Sequence, residues 1–228
     1  WYRDGVAVVG ATAGTLTIAK AALIDEGSYA VSVSDSRALV TSQPAVVKLI
    51  TSDPGRIINL SVRGQLDPAG QPMITGFVIS GEGTRPILVR AVGETLASFG
   101  VAAVARDPII QLYQGSSLLA ENDDWSADLS AGEARAAAAA VGAFALPEAS
   151  KDAALLRRLL AKNYSLQVRS RTVGGGVVLV EAYDASSRAD VSSRIANVST
   201  RAMVSAGDGV LIIGVVISGE TTCRILAR

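Results

Sequence analysis

Asn122-Asp123-Asp124 sets three oxygen-bearing side chains in succession. In a loop after a strand, such a run can gather round a hard cation such as Ca²⁺, which takes roughly six to eight oxygen ligands. Glu121 and Asp128 could add carboxylates. The same residues also make Asx-type turns and cap the approach to a helix, and the spacing is not that of an EF-hand. Both readings stay open, and Ca²⁺ is the one cofactor the residues suggest. Trp125, next in line, could be a ligand-binding platform for a sugar ring, or the cover on one edge of the core.

Other constellations read as structural. Arg56, Arg63 and Arg90, with copies at Arg194, Arg201 and Arg228, could form an anion-binding row. The commoner outcome is a solvent-facing row paired weakly with carboxylates such as Glu94, Asp107 and Glu181. Gly174-Gly175-Gly176 lacks the strand–loop–helix setting and the Lys of a phosphate loop and reads as a flexible hairpin. No carboxylate pair stands out as a glycosidase dyad. Histidine is absent, which removes His-based triads and His-ligated zinc. The one cysteine, Cys223, has no internal disulfide partner and reads as a small apolar strand residue. No catalytic residue is assigned, and no enzyme activity is expected.

Composition agrees with a packed protein. Of 228 residues 49% are hydrophobic and 18% charged, which excludes disorder. The 21 basic residues balance 21 acidic ones, which argues against a nucleic-acid or anionic-membrane partner. No apolar run reaches the roughly 18 residues of a membrane span. The chain opens at Trp1 and stops at Arg228 inside an apolar, strand-like stretch, so both ends read as cuts through a longer protein.

What positions these residues is a repeat. Residues 56–90 and 194–228 align without a gap at an offset of 138, with 16 of 35 positions identical. One complete module is expected over residues 56–187 and the start of a second over 190–228. Most shared positions are strand or turn types, among them Gly76, Val78, Ile79, Ser80 and Gly81. The second copy is expected to form the same strands as the first.

Within the module, Ile57–Val62 alternates as a half-buried strand and Met73–Ser80 is apolar on both faces. Gly81-Glu82-Gly83-Thr84 reads as a hairpin into Arg85–Val92. Strands are expected at Ile109–Tyr113, Leu118–Glu121, Tyr164–Val168 and Val177–Tyr183; the Leu and Arg content of Ala153–Leu160 also fits a helix, but a strand is preferred because Lys162-Asn163 makes a hairpin turn into Tyr164–Val168. Ser130 and Glu133 have capping-box spacing, Ala136–Ala140 propagates a helix, and Gly142 stops it.

Residues 1–50 differ in texture. Thr15–Ile18 alternates, Tyr29, Val31 and Val33 share a face, and Ala45–Ile50 makes a last strand. With Trp1 where strand C opens, and Asp25, Gly27 and Tyr29 in a D-x-G-x-Y pattern, this stretch resembles the C-terminal part of an immunoglobulin-like domain of the intermediate (I-set) type. The resemblance implies a tyrosine corner at Tyr29, whose hydroxyl bonds the upstream backbone. Val31 stands where the disulfide cysteine usually sits, which implies a disulfide-free version. A half-sandwich of this kind has an uncovered face and is marginal alone.

The phrases NLSVRG (59–64), ITGFVISGEG (74–83), ILVRAVG (87–93), FGV (99–101), ENDDW (121–125), GAFALP (142–147), KDAALL (151–156) and LVEAYD (179–184) resemble a repeat of about the same length as the 138-residue offset. That repeat occurs in large exported proteins of Verrucomicrobia (Opitutus-type) bacteria, beside immunoglobulin-like domains. The resemblance implies an all-β fold: a partial immunoglobulin-like sandwich plus a β-sandwich repeat module with one short Ala-rich helix. It also implies a non-enzymatic extracellular or cell-surface spacer or adhesive region, with polysaccharide or other surface proteins as partners. The rival expectation is a carbohydrate- or peptide-binding accessory module of a secreted hydrolase.

Overall fold

A computed structural model of the chain describes residues 1–49, 53–187, 190–206 and 209–228. The chain separates into two units, Trp1–Ser52 and Asp53–Arg228.

The first unit has short strands because its apolar residues come in short bursts. They are β1 (Tyr2–Arg3), β2 (Val6–Ala7), β3 (Gly27–Ala30), β4 (Ser32–Ser34), β5 (Leu39–Thr41) and β6 (Ala45–Val47). One sheet runs β2-β1-β3-β6, and β4 pairs β5. Tyr29 is buried, and its Oη donates to the Asp25 carbonyl at 2.8 Å, the bond expected of it. Thr15–Ile18 forms no strand, contrary to expectation. Its neighbour Ala13 instead accepts a hydrogen bond from Trp1 Nε1 at 2.9 Å. The end of the expected Ala45–Ile50 strand lies outside the described residues. Val6, Ile24, Leu39, Val40 and Val46 are exposed, so Tyr29 has few apolar neighbours to be buried among.

The second unit is built from long alternating strands. They are β7 (Arg56–Leu66), β8 (Met73–Gly81), β9 (Thr84–Val92), β10 (Pro108–Gln114), β11 (Ser117–Asn122), β12 (Ala153–Leu160), β13 (Asn163–Ser170), β14 (Gly176–Asp184), β15 (Ser193–Arg201) and β16 (Ile212–Ser218). The helix α1 (Ala131–Ala140) lies between β11 and β12 in the chain. In β7, period-two alternation sends Leu60, Val62 and Leu66 inward.

Two layers result. One runs β11-β10-β13-β8-β15 and the other β16-β7-β14-β9-β12, and a single residue pair, Ile195 with Ile57, bridges β15 to β7. Phe77, Ile110, Leu112, Leu166 and Val168 of the first layer share one core with Leu60, Val89, Leu155, Val178 and Val180 of the second. The Phe77 and Tyr164 rings stack at 5.5 Å. Burying so many β-branched and Leu side chains between layers is what stabilises the sandwich. The all-β expectation holds: strands make up 46% and helical turns 10%.

Three expected hairpins are corrected. β8 pairs β13 and β15, whereas β9 pairs β12 and β14, so Gly81–Thr84 carries the chain from one layer to the other. The same holds for Lys162-Asn163, between β12 and β13, and for Gly174–Gly176, between β13 and β14. By contrast β10 and β11 pair directly across the Gly115 turn. Residues 190–228 belong to the same compact unit as residues 56–187. They form β15 and β16, the equivalents of β7 and β8, while residues 219–228 form no strand.

The helix begins at Ala131 with Ser130 as its N-cap residue, but the capping box does not form. Asp128 instead orders the residue ahead of the helix. Its Oδ1 accepts from the Ser130 backbone N–H at 2.8 Å and from the Ser130 hydroxyl at 2.5 Å. Gly142 takes φ +74° just past the helix end, as its stop role requires.

Candidate functional site

The residues with most chemical promise surround the crossing from β11 through α1 to β12. Asn122 ends β11 and is buried. Its Oδ1 accepts from the Ala154 N–H at 2.9 Å, and its Nδ2 donates to the Asp124 carbonyl at 3.0 Å. One amide thus ties the last residue of β11 to β12 in the opposite layer. A buried amide must find such partners, because an unmade bond costs its full desolvation.

Asp123 pairs with Arg171, and Asp124 Oδ2 accepts from Lys151 Nζ at 2.9 Å. The Asp124 bond holds the Lys151 amine above its usual range. Asp124 Oδ1 is buried without a hydrogen-bond partner among the described residues. The run therefore splits among three different partners. Among the described residues no group of three or more His, Cys, Asp or Glu side chains gathers as a metal cage would. A cation seated on Asp123 and Asp124 would compete with Arg171 and Lys151 for the two carboxylates.

Trp125 is 4% exposed. Its backbone N–H donates to the Asp152 carbonyl at 2.9 Å and its Nε1 to the Pro147 carbonyl at 3.0 Å. The Arg135 guanidinium sits 5.2 Å from the ring centroid. Of the two readings of Trp125, this burial fits the cover on the core edge: the ring is clamped between α1 and the loop that follows it. Tyr113 and Tyr183 are half-buried. Asp128, part-buried beside α1, is pushed up by burial but held below the usual carboxylate range overall by Ser130 and Arg157.

Sequence reasoning named Glu181 among the weak partners of the arginine row but missed that the pair is buried, and missed Arg85 with Asp184 altogether. Arg90, expected on a solvent face, is 1% exposed. Its Nε and Nη2 both donate to Glu181 Oε2, at 2.9 and 2.5 Å, and its Nη1 donates to the Phe144 carbonyl at 2.6 Å. Phe144 also lies 4.4 Å under the guanidinium. Tyr183 Oη donates to Glu181 Oε1 at 2.6 Å, and burial, with Glu181 beside it, pushes the phenol far above its usual value. Arg56 is buried too, 2.5 Å from Asp53, whereas Arg194, Arg201 and Arg228 are exposed.

Arg85 is wholly buried. It reaches Asp184 at 2.7 Å, Ser193 Oγ at 3.0 Å and the Asp190 carbonyl at 3.0 Å. Asp152, also wholly buried, accepts from the Gly93 N–H at 2.7 Å and from the Thr95 hydroxyl. Arg85 and Arg90 are thus engaged with Asp184 and Glu181, and Asp152 with the Gly93–Thr95 turn. Their partners lie 91 to 99 residues away for Glu181 and Asp184, so no local motif announces them.

Chemically, the arrangement holds shape. A general acid or base has to reach a substrate, and Glu181 and Asp152 are buried with their oxygens accepting from the protein. The cavity beneath α1, between Arg90, Trp125 and Ala138, measures about 120 Å³. Two other cavities in this unit reach the roughly 300–1,000 Å³ of small-molecule pockets: about 450 Å³ beside Gln65, Met73 and Arg201, and about 350 Å³ beside Arg56, Asn59 and Tyr183. What fold and geometry define is an all-β, sandwich-type protein with a heavily cross-linked polar interior. No protein-family model matches the chain, and a search of curated proteins finds no match.

Proposed function

We propose that the chain is a non-enzymatic repeat region acting outside the cell or at its surface, as a structural spacer or adhesive module. What supports the reading is the two-layer module of residues 56–187, whose buried Arg85–Asp184 and Arg90–Glu181 pairs tie the neighbouring strands β9 and β14. Beside it stand the first strands of a second copy. Repeated folded units set a distance and multiply weak contacts through avidity.

Expected partners are polysaccharide or other surface proteins. The test incubates the chain with panels of polysaccharides, peptides and esters, once as free protein and once displayed on beads. The expected result is no turnover, and retention that is weak for free protein and strong on beads. Turnover that disappears in Asp152→Asn or Glu181→Gln with folding retained overturns the reading.

A further inference from the structure

The two copies of the repeated strands pair reciprocally. β15, the copy of β7, lies on β8, and β16, the copy of β8, lies on β7. The registers agree residue for residue under the offset of 138. Ser80 faces Arg194 as Ser218 faces Arg56; Gly76 faces Ser199 as Gly214 faces Ser61; Ile74 faces Arg201 as Ile212 faces Arg63. Even the irregularity is shared, one between Ile195 and Asn197 and the other opposite Asn59 and Ile57.

The single bridge between β15 and β7 joins Ile195 to Ile57, a residue to its own copy. That is what a twofold axis between the copies requires. The steric keys repeat as well. A Cβ on Gly76 would stand 2.8 Å from Ser199 Oγ, and one on Gly214 would crowd Ser61 Oγ in the same way. Arg85 meets Ser193, and at the equivalent positions Cys223 meets Gly55, 3.3 Å from where a Cβ would be. A patch that contacts its own copy in both directions is isologous.

We propose that these two ladders are a self-complementary joint through which two copies of the module associate, each giving its first strand to the other's second. A whole second module seated there continues both layers. β15 takes on its outer edge the equivalent of β14, and β16 the equivalent of β13. The side chains agree: Val215 and Ile217 are 39% and 43% exposed, whereas their equivalents Phe77 and Ile79 are 2% exposed in the completed module. The occupant is another copy of this module, and the joint does not rest on the spacer reading.

The test uses the 228-residue chain in a Cys223→Ser background. Gly76→Cys/Ser199→Cys and Ser61→Cys/Gly214→Cys should each form a disulfide within one chain on mild oxidation. In the chain carrying Ser199→Pro and Gly214→Pro, the second copy no longer covers β7 and β8. This variant should double its mass in solution, and Ser61→Cys/Gly76→Cys added to it should then link two chains. A variant that keeps its strand circular dichroism yet stays monomeric at every concentration overturns the proposal. Should the proline variant unfold, the cysteine pairs in the intact chain decide: both locking supports the joint, and either failing to lock overturns it.

Discussion

Arg90 and Glu181 stand directly opposite each other on β9 and β14, and the guanidinium gives two of its hydrogen bonds to one carboxylate oxygen. Its remaining bond runs to the Phe144 carbonyl, beyond the end of α1. The pair thereby fixes two central strands and the segment that returns from the helix. Removing two charges from water is costly, and only a fully bonded pair offsets that cost. The geometry here supplies those bonds, and Tyr183 supplies one more to the free oxygen of Glu181.

Breaking one side of this pair should therefore be severe. Arg90→Met leaves the Glu181 charge buried and should lower unfolding free energy by about 3–5 kcal/mol. The double variant Arg90→Met/Glu181→Leu should regain most of the loss, because no stranded charge remains. Urea unfolding followed by circular dichroism measures both. A single variant as stable as the parent would show that the pair contributes little.

The helix start gives a second prediction. Asp128, not Ser130, supplies the side-chain acceptor ahead of α1, so Asp128→Ala should cost about 0.5–2 kcal/mol and Ser130→Ala less. The Asp128 carboxyl is held below its usual value of 3.8. Its contribution is thus complete above that value and is lost as pH falls through the lower folded value. Melting temperatures taken from pH 5 downward should fall less steeply in Asp128→Asn than in the parent.

These examples show what the sequence discloses. Several local signals hold, as the alternation in β7, the stop at Gly142 and the strand at Ala153–Leu160 do, whereas the capping box at Ser130 and the strand at Thr15–Ile18 do not form. Partner choice is not legible locally. Gly81–Thr84 has the same turn chemistry whether the chain doubles back in one layer or crosses to the next, and the choice depends on β12 and β13 far downstream. Arg90 reads as a surface residue with Glu181 among its weak partners; the pair is buried because β9 lies against β14 and the Phe144 segment returns over it. The Asn122–Trp125 run was visible as polar chemistry, yet its duties in tying β11 to β12 depend on Ala154, Lys151 and Pro147.

Calcium is tested at that run. With Asp123 on Arg171 and Asp124 on Lys151, excess Ca²⁺ should leave the melting temperature unchanged. A rise that is lost in Asp124→Ala would make the run a cation site. The Lys151 amine, raised by Asp124, keeps its pairing below its usual value of 10.5 and loses it as pH climbs through the higher folded value. Parent and Lys151→Met should accordingly converge in stability at strongly alkaline pH.

Trp125 separates the structural from the ligand-binding role. Buried and bonded to the Pro147 carbonyl, it should be shielded from acrylamide, while the half-buried Trp1 is quenched. Trp1→Phe isolates the Trp125 signal. In that variant polysaccharide should leave the emission unchanged, because a stacking sugar needs an open ring face. Trp125→Phe keeps much of the apolar contact but leaves the Pro147 carbonyl without its donor, so it should lower stability by about 1–3 kcal/mol. A saturable change in Trp125 emission on adding a polysaccharide, with stability untouched in Trp125→Phe, would make the ring a binding surface and remove it from the core edge.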